Sequence, residues 1–417
     1  MTTNRQAPHG ERVASKSTSC MGNRSMPWGS QPIVTDPALH PIIRASGMMN
    51  PLDIASHADP PPPIVAETVR LHFPFPARAA SLVPLAGDAS NRRYYRLFLD
   101  DSPLPSVILM QLAEPEAFKA SEEAIGTSAE PIDELPFINV HRHLSAAGIT
   151  VPTLYWYDQA RGLLYLEDFG DTSLLTACAK DIQHQRTWYP QAIDLLVHMQ
   201  LHATHSLGHR CLALTRSFDI SLFLWEFDHF LEYGIAARQG SPLATREEHR
   251  IREEFRKIVH WLASQPYVFT HRDYHSRNLM VSRGQIGVLD FQDALMGPPT
   301  YDLASLLRDS YIRLEEGIVD MLLDRYREQM MQSVSAEMQD RLLLADHEAF
   351  RRLFDFTSIQ RNLKAVGRFV YIERVKHNPK FLADIPRTLA YVQNTLQKYS
   401  ELHRLYELLR PYIPEWH

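Results

Sequence analysis

The pattern of hydrophobic and polar positions changes along the chain, and each pattern predicts a different kind of element. Between residues 77 and 112, three short apolar runs alternate with turn residues; they are Ala79–Leu85, Tyr94–Leu99 and Val107–Leu112. Runs of this length, bounded by Gly, Asn, Asp and Pro, are typical of β-strands joined by short turns. We therefore predict a small antiparallel sheet in this part of the chain.

A mixed segment follows, and then a long helical one. Phe137–Ala147 predicts a helix that ends at Gly148, and Val151–Tyr157 predicts the next strand. Leu163–Gly170 is an apolar strand that runs into acidic residues. From Pro190 onward, apolar residues recur at intervals of three and four. That spacing predicts that most of the remaining chain is helical and forms a core.

Two apolar runs in this helical region have the character of strands. Tyr267–Thr270 and Ile286–Leu289 both end abruptly on charged residues. Asp273, Asn278 and Asp290 therefore lie where strands give way to loops, and loops held by a rigid scaffold often carry reactive groups. This stretch is the strongest candidate for a functional site.

Residues 1–75 differ from the rest of the chain. Twelve of the 28 prolines fall within the first 76 residues, and neither a helical nor a strand period persists there. Such a segment buries too little apolar surface to offset its ordering entropy. We predict a disordered Pro-rich extension, or an over-long predicted start, with ordered structure beginning near Ala77. Several basic residues against Glu11 alone in the first thirty give a weaker resemblance to a transit peptide.

Composition limits the class of protein. The 417 residues are 45% hydrophobic and 22% charged, as in soluble globular proteins, and the net charge is −6. No lysine-rich run is present, so we expect neither nucleic acid nor a membrane surface as a partner. Cys20, Cys178 and Cys211 are scattered and odd in number, which favours free thiols in a reducing compartment. We expect a cytoplasmic monomer.

Phosphoryl transfer explains why the residue types at positions 273, 278 and 290 occur together. A carboxylate must orient the attacking hydroxyl and accept its proton, and Asp273 suits that role. Mg²⁺ prefers hard oxygen ligands, which Asn278 and Asp290 supply. Asp and Asn also favour ordinary turns, and a zinc site formed by His271, Asp273 and His275 is a weaker alternative.

A second candidate site lies in the first turn of the predicted sheet. Gly87, Ser90 and Asn91 allow main-chain N–H groups to approach a phosphate closely. Three arginines follow at once, and their guanidinium groups match phosphate oxygens; they are Arg92, Arg93 and Arg96. The turn therefore predicts a place for the phosphates of ATP.

The motif His271-Arg-Asp-Tyr-His-Ser-Arg-Asn278, followed by a strand and Asp290-Phe, resembles the catalytic loop and metal-binding strand of kinases. Over residues 82–386 the order of motifs resembles the aminoglycoside phosphotransferase/choline kinase superfamily. Three segments are most similar to bacterial anomeric N-acetylmuramate/N-acetylglucosamine kinases: Gly87–Leu97, Leu289–Asp302 and the Gln-Arg-Asn-Leu-Lys stretch within Ile359–Gly367.

The resemblance implies an α+β, two-lobed, protein-kinase-like fold. We expect a nucleotide-binding lobe with a small antiparallel sheet over residues 76–168, and a larger, mostly helical catalytic and substrate lobe over residues 169–417. It further implies that the main chain at Glu167–Phe169 binds adenine, and that His271 and Asp302 support the catalytic loop. Substrate contacts are expected from three acidic residues, Glu226, Asp228 and Asp293.

The sequence departs from the kinase pattern at the positively charged residue that binds the phosphates of ATP. Protein kinases carry a lysine on the third strand, whereas Val107-Ile-Leu-Met places Met110 there. We expect one of the arginines after the first turn to replace it. A catalytically silent nucleotide-binding regulator is the alternative that this departure motivates.

The sequence therefore predicts an ATP- and Mg²⁺-dependent kinase with a small-molecule acceptor. The resemblance points to the C1 hydroxyl of N-acetylmuramate or N-acetylglucosamine, in the recovery of cell-wall sugars. Kinases of aminoglycosides, choline or homoserine are the nearest alternatives, and a metal-dependent hydrolase is a remote one.

Overall fold

The small sheet has five antiparallel strands in the order β1-β2-β3-β5-β4. The computed structural model describes residues 59–85, 92–112, 134–179 and 181–417, and all structural statements below concern these residues. The strands are β1 Arg78–Pro84, β2 Arg93–Asp100, β3 Ser106–Gln111, β4 Leu154–Asp158 and β5 Leu163–Glu167. They match the strands that the alternating apolar runs predicted, within a few residues at each end.

A helix covers one face of this sheet. Helix α1, Pro62–His72, buries Val65 and Val69 against the apolar side chains of the strands, which include Leu97 and Leu109. This helix lies within residues 1–75, so the disorder expected for that whole range is wrong for residues 62–72. Two buried valines four residues apart explain the helix, because that spacing places both on the face toward the sheet. Residues 1–58 lie outside the described part of the chain.

The remaining elements are mainly helical. The loop of residues 271–278 is called the catalytic loop below, after the kinase segment that it resembles. The helices that precede it are α2 Pro136–Ala146, α3 Leu174–Cys178, α4 Ile182–Ala203, α5 Ile220–His229 and α6 Thr245–Ala263. Those that follow it are α7 Thr300–Leu307, α8 Glu316–Ser333, α9 Ala336–Arg341, α10 His347–Lys376, α11 Ile385–Lys398 and α12 His403–Leu409. Shorter 3₁₀ turns span Leu212–Thr215, Pro379–Asp384, Ser400–Leu402, Arg410–Tyr412 and Pro414–Trp416. None of the described helices combines the length and apolar character that a membrane span needs.

Helix α10 runs through the centre of this helical region. It is 30 residues long, and twenty of its residues are buried, polar ones among them. It crosses closely over a π-helical stretch, Phe230–Ala237, that continues α5. A Cβ at Gly367 would lie 2.9 Å from the Cα of Phe230, so only glycine allows this approach. The crossing brings the middle of α10 beside α5 and the catalytic loop.

Two short ribbons hold the catalytic loop. Strands β6 Val268–Thr270 and β9 Leu295–Gly297 pair with each other, as do β7 Leu279–Ser282 and β8 Gln285–Val288. The second ribbon turns through Arg283 and Gly284, which both have positive φ. A two-residue turn of this kind matches the twist of antiparallel strands and fixes their register.

Candidate active site

The β7–β8 register sets Asn278 and Asp290 near each other. Leu279 pairs with Val288, so the residues at the open end of the ribbon lie opposite one another. There, the main-chain N–H of Leu289 donates to the carbonyl oxygen of Asn278 at 2.9 Å. The Asn278 side-chain amide in turn donates to the main-chain oxygen of Asp273 at 3.0 Å. The three residues that the sequence singled out therefore converge at one end of the ribbon.

Asp302 holds the beginning of the catalytic loop. Its carboxylate accepts hydrogen bonds from the main-chain N–H groups of His271, at 2.7 Å, and Arg272, at 3.0 Å. Arg272 has a φ of +75°, a region that costs a non-glycine residue about 1–3 kcal/mol. Asp302 is fully buried, and burial raises the pKa of its carboxyl to about 7 although both N–H groups lower it. Asp302 thus binds the main chain at the start of this loop, and its supporting role in catalysis stays a prediction.

His271 joins the catalytic loop to the end of β8. Its Nδ1 accepts from the main-chain N–H of Asp273 at 3.3 Å, and its Nε2 lies 2.8 Å from the carbonyl oxygen of Leu289. Because Nδ1 is an acceptor, Nε2 carries the proton and donates it. Burial lowers the pKa of His271, which suits this neutral form. With both ring nitrogens bound to the main chain, His271 has no lone pair left for the zinc site considered from the sequence.

Asn278 and Asp290 fit the requirements of a magnesium site. The Asn278 amide nitrogen is used by Asp273, which leaves its amide oxygen as a ligand. The Asp290 side chain is 46% exposed and lies 3.7 Å from Arg92, and its main chain has a φ of +62°. Mg²⁺ commonly takes one or two protein oxygens and completes its shell with water and phosphate. The described residues contain no group of three or more His, Cys, Asp or Glu placed to hold a metal.

Two cations that the sequence analysis did not assign lie beside Asp273. Arg361 Nη2 is 3.9 Å, and Lys364 Nζ 4.0 Å, from the Asp273 carboxylate. Both come from α10, three residues apart, and therefore share a face of that helix. The sequence does contain a signal for both residues, because they belong to the Gln-Arg-Asn-Leu-Lys stretch that carries part of the resemblance to sugar kinases.

These charges set the ionisation of Asp273. Burial on its own raises the pKa of this carboxyl, but four basic side chains outweigh burial and hold the pKa well below its ordinary value; they are Lys364, His275, Arg361 and Arg272. The side chain remains 39% exposed. Asp273 is thus an ionised carboxylate that a small molecule can reach.

Glu226, expected to contact substrate, lies instead beneath the catalytic loop. Its side chain is wholly buried and accepts hydrogen bonds from Arg272 at 3.1 Å and from Gln360 at 2.7 Å. Lys364 Nζ is a further 3.9 Å away. A carboxylate enclosed by these partners is not accessible to substrate in this conformation. We revise its role: Glu226 balances the cations that surround Asp273.

Asp228 and Asp293, the other acidic residues expected to contact substrate, have different surroundings. Asp228 is 45% exposed, and its carboxylate pairs with Arg252 of α6 at 2.9 Å. Asp293 lies in the segment after β8, where Gln292 donates to both Asp293 and Asp290. Of the three acidic residues, Asp293 alone stays close to the predicted metal ligands.

The arginines after the first turn separate into different roles. Gly87, Ser90 and Asn91 lie outside the described residues, so their predicted contacts stay predictions. Arg96 is bound by the carboxylates of Asp168, at 2.7 Å, and Asp171, at 2.9 Å, which ties β2 to the segment after β5. This occupation argues against the predicted phosphate contact of Arg96.

Arg92 lies on the side of the small sheet that carries Met110, the residue at the position of the kinase lysine. Tyr94 pairs with Met110 across β2 and β3, and alternate residues of a strand share a face. Arg92, two residues before Tyr94, therefore lies on the same face as Met110. Its guanidinium reaches Asp290, so a positive charge is present where the third-strand lysine is absent.

The segment after β5, where an adenine edge is expected to bind, has different partners at Glu167 and at Phe169. The Glu167 N–H donates to Thr153, and its carboxylate is bound by Thr153 and Arg283. The Phe169 N–H makes no hydrogen bond with any described residue. Its ring packs on Gly287, where a Cβ would come within 2.3 Å of it. The side chain of Glu167 is thus structural, and Phe169 carries the donor.

Comparison with known proteins agrees with this geometry. Residues 81–336 match the model of the phosphotransferase enzyme family. An N-acetylmuramate/N-acetylglucosamine kinase of Pseudomonas aeruginosa is 32% identical over 333 residues, covering 79% of this chain and 88% of the relative. The chain belongs to the phosphotransferase enzyme family. A similarly named kinase of Neisseria meningitidis serogroup B is 31% identical, with 80% of this chain and 91% of the relative covered.

Solved structures extend the agreement to the fold of the phosphotransferase family. The choline kinase of Cryptosporidium parvum has a TM-score of 0.52 at 12% identity, and the match covers 85% of this chain and 99% of that structure. The structure of the gentamicin complex of APH(2")-IIa has a TM-score of 0.51 at 12% identity, and the match covers 83% of this chain and 99% of that structure. The predicted fold and superfamily are confirmed. Family membership makes the protein a phosphotransferase that uses ATP and a small-molecule alcohol acceptor.

Proposed function

We propose that this phosphotransferase transfers the γ-phosphoryl group of ATP to the anomeric hydroxyl of N-acetylmuramate or N-acetylglucosamine. The observation that carries the proposal is the accessible, ionised Asp273 beside Asn278 and Asp290. The relatives at 31% and 32% identity, which align over most of both chains, carry these sugars in their names. The products would be sugar 1-phosphates, and we place the enzyme in the recovery of cell-wall sugars.

The basicity of Asp273 suits this acceptor. A low pKa makes Asp273 a weak base, and an anomeric hydroxyl, which is more acidic than an ordinary alcohol, demands less basicity of its proton acceptor. Asp302 and His271 hold the loop that carries Asp273, which fixes the carboxylate before substrate arrives. Asp273 then orients the hydroxyl toward the γ-phosphoryl group and takes its proton as the new P–O bond forms, while the bond from the γ-phosphorus to the bridging oxygen breaks and ADP leaves.

Charge neutralisation on the nucleotide side is assigned to Arg92, Asn278 and Asp290. Mg²⁺ held by Asn278 and Asp290 would offset the negative charge of the ATP phosphates. Arg92, beside Asp290, would bind a phosphate oxygen directly. The Phe169 main-chain N–H would bind the adenine edge. We further propose that the enzyme acts as a cytoplasmic monomer.

The charges near Asp273 argue against the alternative acceptors. Aminoglycosides and choline are cations, and a site that binds them benefits from acidic surroundings. Here Arg361 and Lys364 flank the catalytic carboxylate, while Glu226 is buried under Arg272 and Asp228 is paired with Arg252. Such surroundings favour a neutral or anionic acceptor.

A substrate screen tests the proposal. ATP consumption would be measured with N-acetylmuramate, N-acetylglucosamine, a panel of aminoglycosides, choline and homoserine. We expect turnover with the amino sugars, and phosphorus NMR of the product should identify a sugar 1-phosphate. Turnover with a cationic acceptor alone would replace the proposed substrate. ATP binding without turnover of any acceptor would favour the regulator that Met110 motivated.

A further inference from the structure

Arg361 and Lys364 are buried cations whose hydrogen-bonding capacity is unused. Their side chains are only 5% and 9% exposed, respectively. Neither side chain donates a hydrogen bond to any residue in the described part of the chain, and the Arg361 Nε atom is fully enclosed without a partner. Their contacts with carboxylates are the long ones, between 3.9 and 4.0 Å.

This arrangement is costly unless a ligand completes it. A buried donor that has lost water and gained no acceptor destabilises the fold, and the penalty is larger for a charged group. The carboxylates of Glu226 and Asp273 lie 3.9–4.0 Å from these two side chains, too far to accept a hydrogen bond from them. The terminal donors of Arg361 and Lys364 are therefore available to an anion.

The position of the two cations favours an anion on the acceptor over the phosphates of ATP. Both come from α10 and contact Asp273, the residue that meets the attacking hydroxyl. Neither forms an ion pair with Asp290 within the described residues, and the cation beside Asp290 is Arg92, from the small sheet. The nucleotide side of the site thus has a cation of its own, and the α10 pair lies on the acceptor side.

We propose that Arg361 binds the carboxylate of the lactyl ether in N-acetylmuramate, and that it thereby sets a preference for this sugar over N-acetylglucosamine. The inference rests on the proposed function. The two sugars differ only in that ether on C3, and its carboxylate is ionised at neutral pH. C1 and C3 are separated by one ring carbon, so adjacent side chains can bind the reacting hydroxyl and the carboxylate together.

Arg361 and Lys364 have different roles, because a guanidinium group and an ammonium group bind anions differently. A guanidinium offers parallel donors that match both oxygens of a carboxylate, and Arg361 has these donors unused. An ammonium acts as a compact charge, and Lys364 lies almost equally far from Glu226 and Asp273. Arg361 therefore recognises the acceptor, and Lys364 lies between the two carboxylates as a point charge.

The test compares three acceptors in four proteins. The acceptors are N-acetylmuramate, its uncharged lactyl amide and N-acetylglucosamine. The proteins are the wild type, Arg361→Gln, Arg361→Lys and the control Arg352→Gln. Arg352 lies on the same helix, is 48% exposed and pairs with Glu401, away from Asp273. Values of kcat/KM for each combination form double-mutant cycles between the residue and the carboxylate.

We expect Arg361→Gln to lower kcat/KM for N-acetylmuramate by roughly 10- to 100-fold more than for the other two acceptors, the range for a hydrogen bond to a charged group. For Arg361→Lys, the kcat/KM for N-acetylmuramate should lie between those of the wild type and Arg361→Gln. Lysine keeps the positive charge but lacks the two parallel donors of the guanidinium group. The wild type should prefer the acid to its amide by a similar factor, and Arg352→Gln should match the wild type.

Two results would overturn the inference. One is an equal loss for all three acceptors in Arg361→Gln, which would mean that Arg361 acts only through Asp273 or the phosphoryl group. The other is a wild type that uses the amide as well as the acid, a result that needs no variant to fold. A wild type that phosphorylates neither sugar would instead contradict the proposed function.

Discussion

The Nη1 atom of Arg92 lies 3.7 Å from the carboxylate of Asp290, and so links the start of β2 to the end of β8. The neighbouring arginines differ. Arg93 points from the opposite face of the strand and is 48% exposed near Asp59, while Arg96 is held by Asp168 and Asp171. The pair of Arg92 and Asp290 thus brings a cation to a predicted metal ligand on the face that carries Met110.

Arg92→Gln should weaken the binding of nucleotide phosphates. We expect the dissociation constant of ATP to rise by roughly 10- to 100-fold, because a charge-assisted contact is lost, while adenosine binds as before. Isothermal titration with ATP, ADP and adenosine measures this. Arg93→Gln is the matched control, one residue away on the other face, and should leave all three affinities unchanged. If Arg92→Gln lost the same affinity for adenosine as for ATP, Arg92 would not be a phosphate-binding residue.

Glu226 and Asp228 should differ sharply in their effect on stability. Glu226→Gln removes the charge that balances Arg272 and Lys364 in a fully buried site, which should lower the free energy of unfolding by roughly 3–5 kcal/mol. Asp228→Asn breaks a half-exposed pair with Arg252 and should cost less than about 1 kcal/mol. Urea denaturation of both variants provides the comparison. Similar small losses would show that Glu226 does not balance the buried cations.

Lys364→Gln should change how the rate depends on pH. The wild-type pKa of Asp273 lies below its ordinary value, so Asp273 loses its base form only in strong acid. Removing the Lys364 charge raises this pKa, and the acid limb of kcat/KM should therefore move to higher pH. Lys257→Gln, an exposed lysine on α6, serves as the control. If the acid limb of kcat/KM lay at the same pH in Lys364→Gln and in the wild type, Lys364 would have no effect on the ionisation of Asp273.

Local patterns in the sequence were sufficient to predict part of the structure. The strands of the small sheet follow from alternation and turn residues, and the meeting of Asn278 with Asp290 follows from the two strands that separate them. Both signals act over a few residues. Helix α1 was missed because its two buried valines stand in a Pro-rich segment, and their burial depends on the sheet that follows.

Long-range charge pairing explains the remaining differences. Glu226 pairs with Arg272, 46 residues away, and with Gln360, 134 residues away. Arg96 meets Asp168 at a separation of 72 residues. An acidic residue on a helix has the same local pattern whether it faces a ligand or a buried arginine. Only the packing of α10 against α5 and the catalytic loop distinguishes these cases.

The central claim is that Asp273 accepts the proton of the attacking hydroxyl, and Asp273→Asn tests it most directly. The substitution keeps the shape of the side chain and removes its basicity. Single-turnover phosphorylation of N-acetylmuramate should slow by roughly 100- to 10,000-fold, the usual contribution of a general base, while the affinity for ATP stays unchanged. Phosphorylation by Asp273→Asn at close to the wild-type rate would contradict the account.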